Sequence, residues 1–366
     1  MHLSDTTTRV VSYNLLSSHL AAPSWFVACK PENLDQAARL RKIKEKLRTE
    51  MSQNSIICLQ EISTMWAGHL HTFFANNDYY LVTGLYGNRN NGYMGVGIAI
   101  PTKKYELRAV DITRVADTKR MPRKVEEPPS FLKSLVSNVV KRIKDMIINT
   151  AIYFKLYKPP IDLWDNALYR TNQMICSRLF DRSSSKEFVV GTYHMPCMFQ
   201  LTAVMVAHCA LSAQHIHRYA SGLPYFFVGD FNIKPNSLEY QLLTKGNISP
   251  SVIDSLSLPP NSSLISLPQE ENYPAAPAGD DWTPALPQPL KSAYLTKLGA
   301  EPDFTNYAKV REDPVFVDTL DYLFYSEGIE VQDVLPLPSR ETVPGPLPND
   351  NEPSDHILLA ADFRVL

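Results

Sequence analysis

Short apolar runs that border on polar side chains predict the buried strands of this chain. Six such runs are Val10–Asn14, Ile56–Glu61, Phe188–His194, Tyr225–Val228, Thr319–Tyr325 and Ser354–Leu359. Continuous apolar runs of this length are typical of strands buried on both faces of a sheet. The polar groups at their ends are therefore expected to converge on one rim. This predicted cluster consists of Asn14, Glu61, His194, Asp230, Asn232, Asp321, Asp355 and His356.

Asp230 and Asn232 are the most informative pair in this set, because they follow the apolar run Tyr225–Val228 with one residue between them. Alternation along an extended strand would put both side chains on the same face. A carboxylate can then hold a hard cation while the amide binds an oxygen of a phosphate, as metal-assisted phosphoester hydrolysis requires. Gly, Asp and Asn are also ordinary turn residues, so the hypothesis depends on the whole set of runs.

A basic segment interrupts the alternation of strands and helices. Residues 119–158 contain ten Lys or Arg and three acidic residues, a local charge of +7 in a chain of net charge -2. Apolar residues recur there at three- and four-residue steps, which predicts an amphipathic helix beginning near Ser130. The lysines could contact RNA or a protein partner, or bind an anionic membrane surface. Alternatively, the apolar face packs on the rest of the chain and the lysines are simply solvated.

A second unusual segment, Leu258–Leu290, contains eight prolines. Proline excludes a regular helix or a central strand, so this segment is predicted to be a long loop. Its Trp282 is expected to pack on the body of the protein. A further helix is predicted from Gln200 to Tyr219.

Composition is consistent with a soluble enzyme of one domain, 1–366, that includes both insertions. The 366 residues, 44% of them hydrophobic, can bury a large core, and no apolar run approaches the ~18 residues that cross a bilayer. Five cysteines, an odd number, indicate free thiols in a reducing compartment, and their spacing does not fit a zinc site. The first strand begins near Arg9, which leaves no room for a leader peptide. A cytoplasmic protein is expected, with the nucleus as the alternative.

The order of the motifs resembles the endonuclease/exonuclease/phosphatase superfamily, whose fold is that of pancreatic deoxyribonuclease. Within it, the chain is most similar to the deadenylases of the carbon-catabolite-repression type, nocturnin and Angel. The segments that carry this closer resemblance are Ser292–Tyr294, Glu301–Tyr307, Leu320–Tyr322, Leu347–Asn349 and Pro353–His356. The resemblance implies an α/β fold, a two-layer β-sandwich flanked by helices. It also implies a phosphoesterase that depends on Mg²⁺.

The predicted metal site consists of oxygen donors. Glu61 is the expected principal ligand, because Mg²⁺ usually takes one or two carboxylates together with substrate oxygens and water. Asn14 would position the metal, Asp230 would orient or deprotonate the attacking water or hold a second metal, and Asp355 completes the set. Mn²⁺ is expected to substitute for Mg²⁺.

The predicted catalytic residues surround the scissile phosphate. By resemblance, His356 pairs with Asp321, which would fix the histidine tautomer and favour the imidazolium. That cation would stabilise the pentavalent transition state, while His194 contacts another non-bridging oxygen. Asn232 would position the phosphate through a neutral hydrogen bond.

The base-binding residues rest on a looser resemblance. In the deadenylases an aromatic residue shortly before the Asp-Tyr pair stacks on adenine, and Phe316 stands there. Asn232 is placed to read the base edge. The family's proline on the opposite face is absent, since Phe199 lies near its position and Pro196 comes too early. Stacking between aromatic rings alone tolerates any base, so adenine specificity is an open expectation.

The most favoured function is a 3′-5′ exoribonuclease of the deadenylase type that acts on single-stranded RNA or poly(A). An alternative keeps the site and changes the substrate to a nucleotide, as in nocturnin, or to a lipid or inositol phosphate. A third hypothesis is a non-catalytic binding module, which the intact set of site residues disfavours.

Overall fold

The computed structural model describes residues 7–118, 163–256 and 283–366. The predicted basic insertion at 119–158 lies outside the described residues, and so does most of the proline-rich segment, including Trp282. The described part of that segment, 283–290, has no helix or strand, as its prolines predict. In the described part of the chain, no helix has the length and apolar character needed to cross a membrane.

The strands follow one another along the chain as β1 (Thr8–Asn14), β2 (Ile56–Ile62), β3 (Tyr79–Leu85), β4 (Gly95–Pro101), β5 (Tyr105–Arg114), β6 (Gln173–Asp181), β7 (Lys186–His194), β8 (Tyr225–Asp230), β9 (Lys291–Ser292), β10 (Asn306–Ala308), β11 (Phe316–Asp318), β12 (Asp321–Tyr325), β13 (Ile329–Val334) and β14 (Leu359–Val365). The α-helices are α1 (Pro31–Leu34), α2 (Gln36–Met51), α3 (Thr64–Ala75), α4 (Leu163–Leu168), α5 (Thr202–Ala220), α6 (Leu238–Lys245), α7 (Pro250–Ser255) and α8 (Ala293–Leu298).

Two six-stranded sheets form the body of the protein. One has the order β13-β14-β1-β2-β4-β3 and the other the order β5-β6-β7-β8-β12-β9, while β10 and β11 form a separate hairpin. The pairs β1–β2 and β7–β8 are parallel, and the other pairs are antiparallel. The predicted α/β fold of two sheets with flanking helices is therefore confirmed.

Apolar side chains of both sheets meet in one buried layer. Val10, Ile98, Phe226 and Phe363 belong to this layer, and the rings of Phe226 and Phe363 cross edge to face at 4.9 Å. The opposite faces of the central strands are also covered. Helices α2 and α3 pack on one sheet and α5 and α6 on the other. This double coverage explains why the central strands are mostly apolar rather than strictly alternating.

Local sequence signals fix the ends of several helices. Asp35 caps α2 by accepting a hydrogen bond from Ala38 N, and Ser63 caps α3 in the same way with Trp66 N. Such caps satisfy backbone donors that have no partner inside the helix. The helix predicted from Gln200 to Tyr219 is confirmed as α5.

Two local expectations differ from the structure. The last strand begins at Leu359 rather than near Ser354, because His356 instead makes an isolated bridge with Asn306. Strand β8 ends at Asp230, and Asn232 has a left-handed φ of 52°, so strand alternation does not relate Asp230 to Asn232. Both residues nevertheless reach the same cleft, as described below.

Candidate active site

Asn14 joins the two sheets at the rim where their central strands end. Its Nδ2 atom donates to Asp230 Oδ2 at 2.9 Å and to Glu61 Oε1 at 3.3 Å. Its Oδ1 atom accepts from Leu16 N at 2.9 Å. In this orientation the amide nitrogen, not the oxygen, faces the carboxylates. Metal binding by Asn14 therefore stays a prediction that requires the amide to turn over.

Glu61 occupies a bulge that aims its side chain at the rim. Its φ is +57°, a left-handed value uncommon for residues other than glycine, and the pairing of β2 with β4 shifts register between Leu59 and Ile62. Ser17 N donates to Glu61 Oε2 at 2.9 Å. Such bulges and strained conformations often occur beside active sites. The strained backbone and this hydrogen bond hold the carboxylate next to Asn14.

His356 lies between two aspartates that come from neighbouring strands. Its Nδ1 atom is 2.8 Å from Asp321 Oδ2, which also accepts from Thr305 Oγ1 at 2.6 Å. Its Nε2 atom is 3.7 Å from Oδ2 of Asp230, the residue opposite Asp321 in the β8–β12 pair. Burial opposes a charged imidazole, but the carboxylates of Asp321, Asp355 and Asp230 raise the pKa of His356 well above its usual value. The structure thus favours the imidazolium.

Asp230 is the most central carboxylate, and it is 2% exposed. Burial and the nearby Asp321 raise the pKa of Asp230 to about 6, although His356, His194 and the Asn14 hydrogen bond act in the opposite direction. A carboxylate with this pKa can exchange a proton near neutral pH.

The oxygen donors of this cluster fit the divalent cation that the resemblance implies. Glu61, Asp230 and Asp355 contribute three carboxylates, and the buried Oδ1 atom of Asp355 has no hydrogen-bond partner among the described residues. Burial raises the pKa of Asp355, and the charge of Glu61 adds to this, whereas His356 opposes it. Hard cations prefer such oxygens, and a cation would remove the repulsion among them.

The donor atoms of Asp230, Asp321 and His356 also lie within 4.8 Å of one another. Asp321 and His356 are already hydrogen-bonded to each other, so this triad suits charge and proton chemistry better than direct metal binding. Glu61 and Asp355 remain the predicted metal ligands, with Asp230 shared between both groups.

His194, at the end of β7, completes the polar cluster. Its Nε2 atom lies 3.6 Å from Asp230 Oδ2 and 4.0 Å from Glu61 Oε1. Its Nδ1 atom shares a hydrogen bond of 3.1 Å with the hydroxyl of Tyr86, and Asn172 Nδ2 donates to the His194 carbonyl at 2.8 Å. Tyr86 and Asn172 were not expected from the sequence, because each stands just outside a strand without a recognisable motif.

Arg39 is a third residue that the sequence did not indicate. Its guanidinium is buried and donates to the carbonyls of Pro353 at 2.6 Å, Leu15 at 2.6 Å and Leu16 at 2.5 Å, and it lies 5.0 Å from the ring centre of Trp66. Burial lowers the pKa of Arg39 to about 10, against the charges of Asp355 and Glu61. It therefore stays cationic at neutral pH. The side chain ties the segment after Asn14 to the segment before Asp355.

An open cleft of about 1110 Å³ lies over the polar cluster. Its lining includes Glu61, His194, Asp230, Asn232, Asp355, His356, Phe199 and Phe316. Asn14 and Asp321 are not part of this lining, so they lie beneath the carboxylates that border the cleft. The structure thus brings together the six polar residues that line the cleft, the two beneath it and the two predicted aromatic contacts.

The two predicted aromatic contacts differ in support. Phe316 is half-buried, and Lys234 Nζ lies 5.0 Å from its ring centre while forming an ion pair of 2.7 Å with Asp318. Phe199 is 71% exposed at the mouth of the cleft. Asn232 is held by donation from its Nδ2 atom to Met195 O at 2.9 Å. Base stacking and base-edge recognition stay predictions, but all three side chains border one space.

The sequence matches one protein family along most of its length. The profile of the Endonuclease/Exonuclease/phosphatase family matches residues 11–356, and the chain belongs to that family. The prediction of an enzyme of this family is confirmed.

Several relatives are similar along nearly the whole chain. A CCR4-Not complex 3′-5′-exoribonuclease subunit Ccr4 of Aspergillus niger is 28% identical over 97% of this chain and 51% of that protein. A 2′,5′-phosphodiesterase 12 of Mus musculus is 24% identical over 98% of this chain and 52% of that protein. The chain thus spans about half the length of these curated relatives. The crystal structure of ANGEL2, a 2′,3′-cyclic phosphatase, in complex with adenosine-2′,3′-vanadate, superposes with a TM-score of 0.68 at 19% identity, covering 98% of this chain and 96% of that one.

Proposed function

We propose that this protein is a divalent-metal-dependent 3′-5′ exoribonuclease that removes 5′-nucleotides from single-stranded RNA, with poly(A) as the preferred substrate. The observation that carries the proposal is the continuity of the cleft. The hydrolytic residues His356, Asp230 and His194 and the ring of Phe316 line one open space. A terminal nucleotide can therefore place its phosphate on the polar cluster and its base against an aromatic surface.

The reaction is the attack of water on the terminal phosphodiester. The bond from phosphorus to the 3′ oxygen of the preceding nucleotide breaks, which leaves a free 3′ hydroxyl on the RNA and a 5′-monophosphate on the released nucleotide. A bound Mg²⁺ would act as a Lewis acid that polarises a phosphoryl oxygen. We expect Glu61 and Asp355 to hold the ion, with Asp230 next to the metal site.

The chain's own groups supply the proton and charge chemistry. Asp230, with a pKa of about 6, accepts a proton from the attacking water, and solvent water protonates the departing 3′ oxygen. His356, kept charged by Asp321, donates a hydrogen bond from Nε2 to a non-bridging oxygen as negative charge develops there. His194, oriented by Tyr86, contacts a second oxygen. Asn14 bridges Glu61 and Asp230 by donating to both from Nδ2, which reduces the repulsion between the two carboxylates.

Basic side chains in the walls of the cleft are evidence for an anionic substrate longer than one phosphate. Lys234 and Arg170 are both part of its lining. Cationic side chains near a backbone path contribute affinity that does not depend on sequence. The name of the Aspergillus relative as an exoribonuclease subunit agrees with this substrate class.

A second candidate is hydrolysis of a small phosphorylated nucleotide at the same site. It is favoured by the exposure of Phe199, which lies near the position of the deadenylases' proline and leaves one face of the base site open. The names of other relatives, a 2′,5′-phosphodiesterase and a 2′,3′-cyclic phosphatase, point to nucleotide substrates with different linkages.

Product analysis separates these candidates. We would incubate the protein and Mg²⁺ with 3′,5′-linked oligo(A), oligo(U), 2′,5′-linked oligo(A), NADPH and phosphoinositides, with Asp321→Asn as the control for contaminating nucleases. The proposal expects stepwise shortening of 3′,5′-oligo(A) with release of AMP. Release of inorganic phosphate from NADPH, without shortening of any of the three oligonucleotides, would instead establish the nucleotide phosphatase. Turnover of none of these substrates would refute both.

A further inference from the structure

A group of metal-binding side chains lies apart from the catalytic cleft, on the helix-covered side of the second sheet. Asp111 of β5 and Cys176 of β6 are directly opposite each other in the antiparallel pair. His215 of α5 lies against them, with its Nε2 atom 2.7 Å from Asp111 Oδ2. The ligand atoms of the three residues all lie within 4.8 Å of one another. None of the three lines the cleft.

We propose that Asp111, Cys176 and His215 form a second metal site, selective for Zn²⁺ or a similar borderline-soft cation. One sulfur, one imidazole nitrogen and one carboxylate oxygen are a donor set suited to Zn²⁺ and unsuited to Mg²⁺. Bond lengths of ~2.0–2.3 Å in a tetrahedral site separate the donor atoms by roughly 3.3–3.8 Å. The observed separations, from 2.7 Å to at most 4.8 Å, bracket that range, so small side-chain rotations suffice.

The position of the sulfur is fixed by its surroundings. Cys176 is fully buried, and its neighbour across the pair of β6 with β7 is Gly191. The position that a Cβ atom would take at Gly191 lies 3.6 Å from Cys176 Sγ and 2.3 Å from Ile216 of α5, so the sulfur and the helix are on the same side of the sheet. The thiol therefore points to the side of the sheet that carries α5. A coordinating thiol is deprotonated by the metal itself, so its burial as a neutral group does not prevent binding.

The surrounding polar atoms support a site rather than a simple ion pair. Thr113 Oγ1 donates to Asp111 Oδ2 at 2.8 Å and orients that carboxylate, as outer hydrogen bonds commonly do for metal ligands. Tyr219, one helical turn after His215, has a buried hydroxyl that finds no hydrogen-bond partner in the part of the chain that the structure describes. Burial, with Cys176 and Asp111 nearby, raises the pKa of Tyr219 to about 12. A water on the metal would give this hydroxyl the partner that it lacks.

An ion can reach the site from solvent. The side chains of His215 and Asp111 are 16% and 31% exposed, whereas the sulfur lies at the closed end. Such an ion would link the edge strand β5, its neighbour β6 and helix α5. Because it shares no residue with the cleft, its occupancy and that of the catalytic metal can be measured separately.

The test uses Co²⁺ as a spectroscopic substitute for Zn²⁺, added to the full chain in excess Mg²⁺, which competes for sites made of oxygen ligands. We expect a thiolate-to-Co²⁺ charge-transfer band in the near ultraviolet and strong visible bands of a four-coordinate ion. Both should saturate at one Co²⁺ per chain and be abolished by Zn²⁺. Absence of the charge-transfer band in the unmodified protein would overturn the proposal.

Variants assign the band to these residues. Cys176→Ser should abolish it, and His215→Ala should weaken Co²⁺ binding by at least about tenfold. His217→Ala is the matched control, since this histidine is on the same helix and its ring meets Tyr225 instead. A band that persists in Cys176→Ser refutes the site. If Cys176→Ser does not fold, equal Co²⁺ affinity of His215→Ala and His217→Ala refutes it instead.

Discussion

The Nδ1 atom of His356 lies 2.8 Å from Oδ2 of Asp321, although 35 residues separate them along the chain. Asp321 in turn stands opposite Asp230 on the neighbouring strand. This contact keeps the imidazole charged and turns its Nε2 atom toward the cleft. It was expected by resemblance to the family, and the structure shows it directly.

The pairing predicts that His356→Ala and Asp321→Asn are not additive. Each single change should lower kcat/KM by about 10²- to 10³-fold, because each removes the same imidazolium from the transition state. The double variant should be only slightly slower than the slower single variant. Steady-state kinetics on oligo(A) measures this. Multiplication of the two single effects would mean that the residues act independently.

Glu61 is predicted to be the main metal ligand. Glu61→Gln keeps the shape of the side chain but removes its charge, so kcat/KM should fall by more than about tenfold, a loss above 1.4 kcal/mol. Without metal, the variant should be at least as stable as the original protein, because repulsion from Asp230 and Asp355 is reduced. Thermal melts with EDTA and with Mg²⁺ provide a readout apart from activity. A variant that Mg²⁺ stabilises as much as the original protein would contradict this assignment.

Arg39 is predicted to position the metal site rather than to touch the substrate. Arg39→Lys retains the charge but cannot reach the carbonyls of Leu15, Leu16 and Pro353 together, which should cost at least about 2 kcal/mol of stability. It should also raise the Mg²⁺ concentration needed for half-maximal activity. Arg41→Lys, on the exposed side of the same helix, is the matched control. Equal Mg²⁺ dependence in the two variants would show that Arg39 has only a structural role.

Base stacking on Phe316 is the sharpest test of the substrate. Phe316→Ala should lower kcat/KM on oligo(A) by about 1 to 3 kcal/mol, the usual range for stacking of a base on an aromatic ring. The neighbouring Val315, which is 49% exposed, gives the control Val315→Ala. Phe199→Pro should increase the preference for oligo(A) over oligo(U). If Phe316→Ala hydrolyses oligo(A) as fast as the original protein but loses activity on a small phosphorylated nucleotide, the exoribonuclease proposal fails. The nucleotide phosphatase would then be the supported function.

The buried His208 predicts how stability depends on pH. Burial lowers the pKa of His208 to about 4, although a hydrogen bond to the Ala167 carbonyl opposes this. The unfolded chain binds a proton near pH 6.5 and the folded chain does not, so the stabilising contribution is full above pH 6.5 and is lost as the pH falls toward 4. The difference corresponds to about 3 kcal/mol. Urea unfolding between pH 4 and 8 should show that the free energy of unfolding depends less on pH in His208→Gln than in the original protein. The same pH dependence in both proteins would show that His208 is not the cause.

The apolar pattern along the chain was enough to predict the central strands and to nominate the polar residues at their ends. Runs such as Ile56–Glu61 and Phe188–His194 are mostly apolar because both faces of their strands are covered. A charged residue at the end of such a run is therefore expected at the rim of the sheet. The order of the motifs then indicated the family, which the match over residues 11–356 confirms.

How those residues face one another could not be predicted from the sequence, because it depends on how distant segments pack. The orientation of the Asn14 amide, the left-handed turn at Glu61 and the buried Arg39 depend on contacts between segments far apart in the chain. A helix such as α2, rich in Lys and Arg, gives no signal that one arginine points inward, because side-chain direction is set by packing. The grouping of Asp111, Cys176 and His215 likewise exists only after β5, β6 and α5 have packed together.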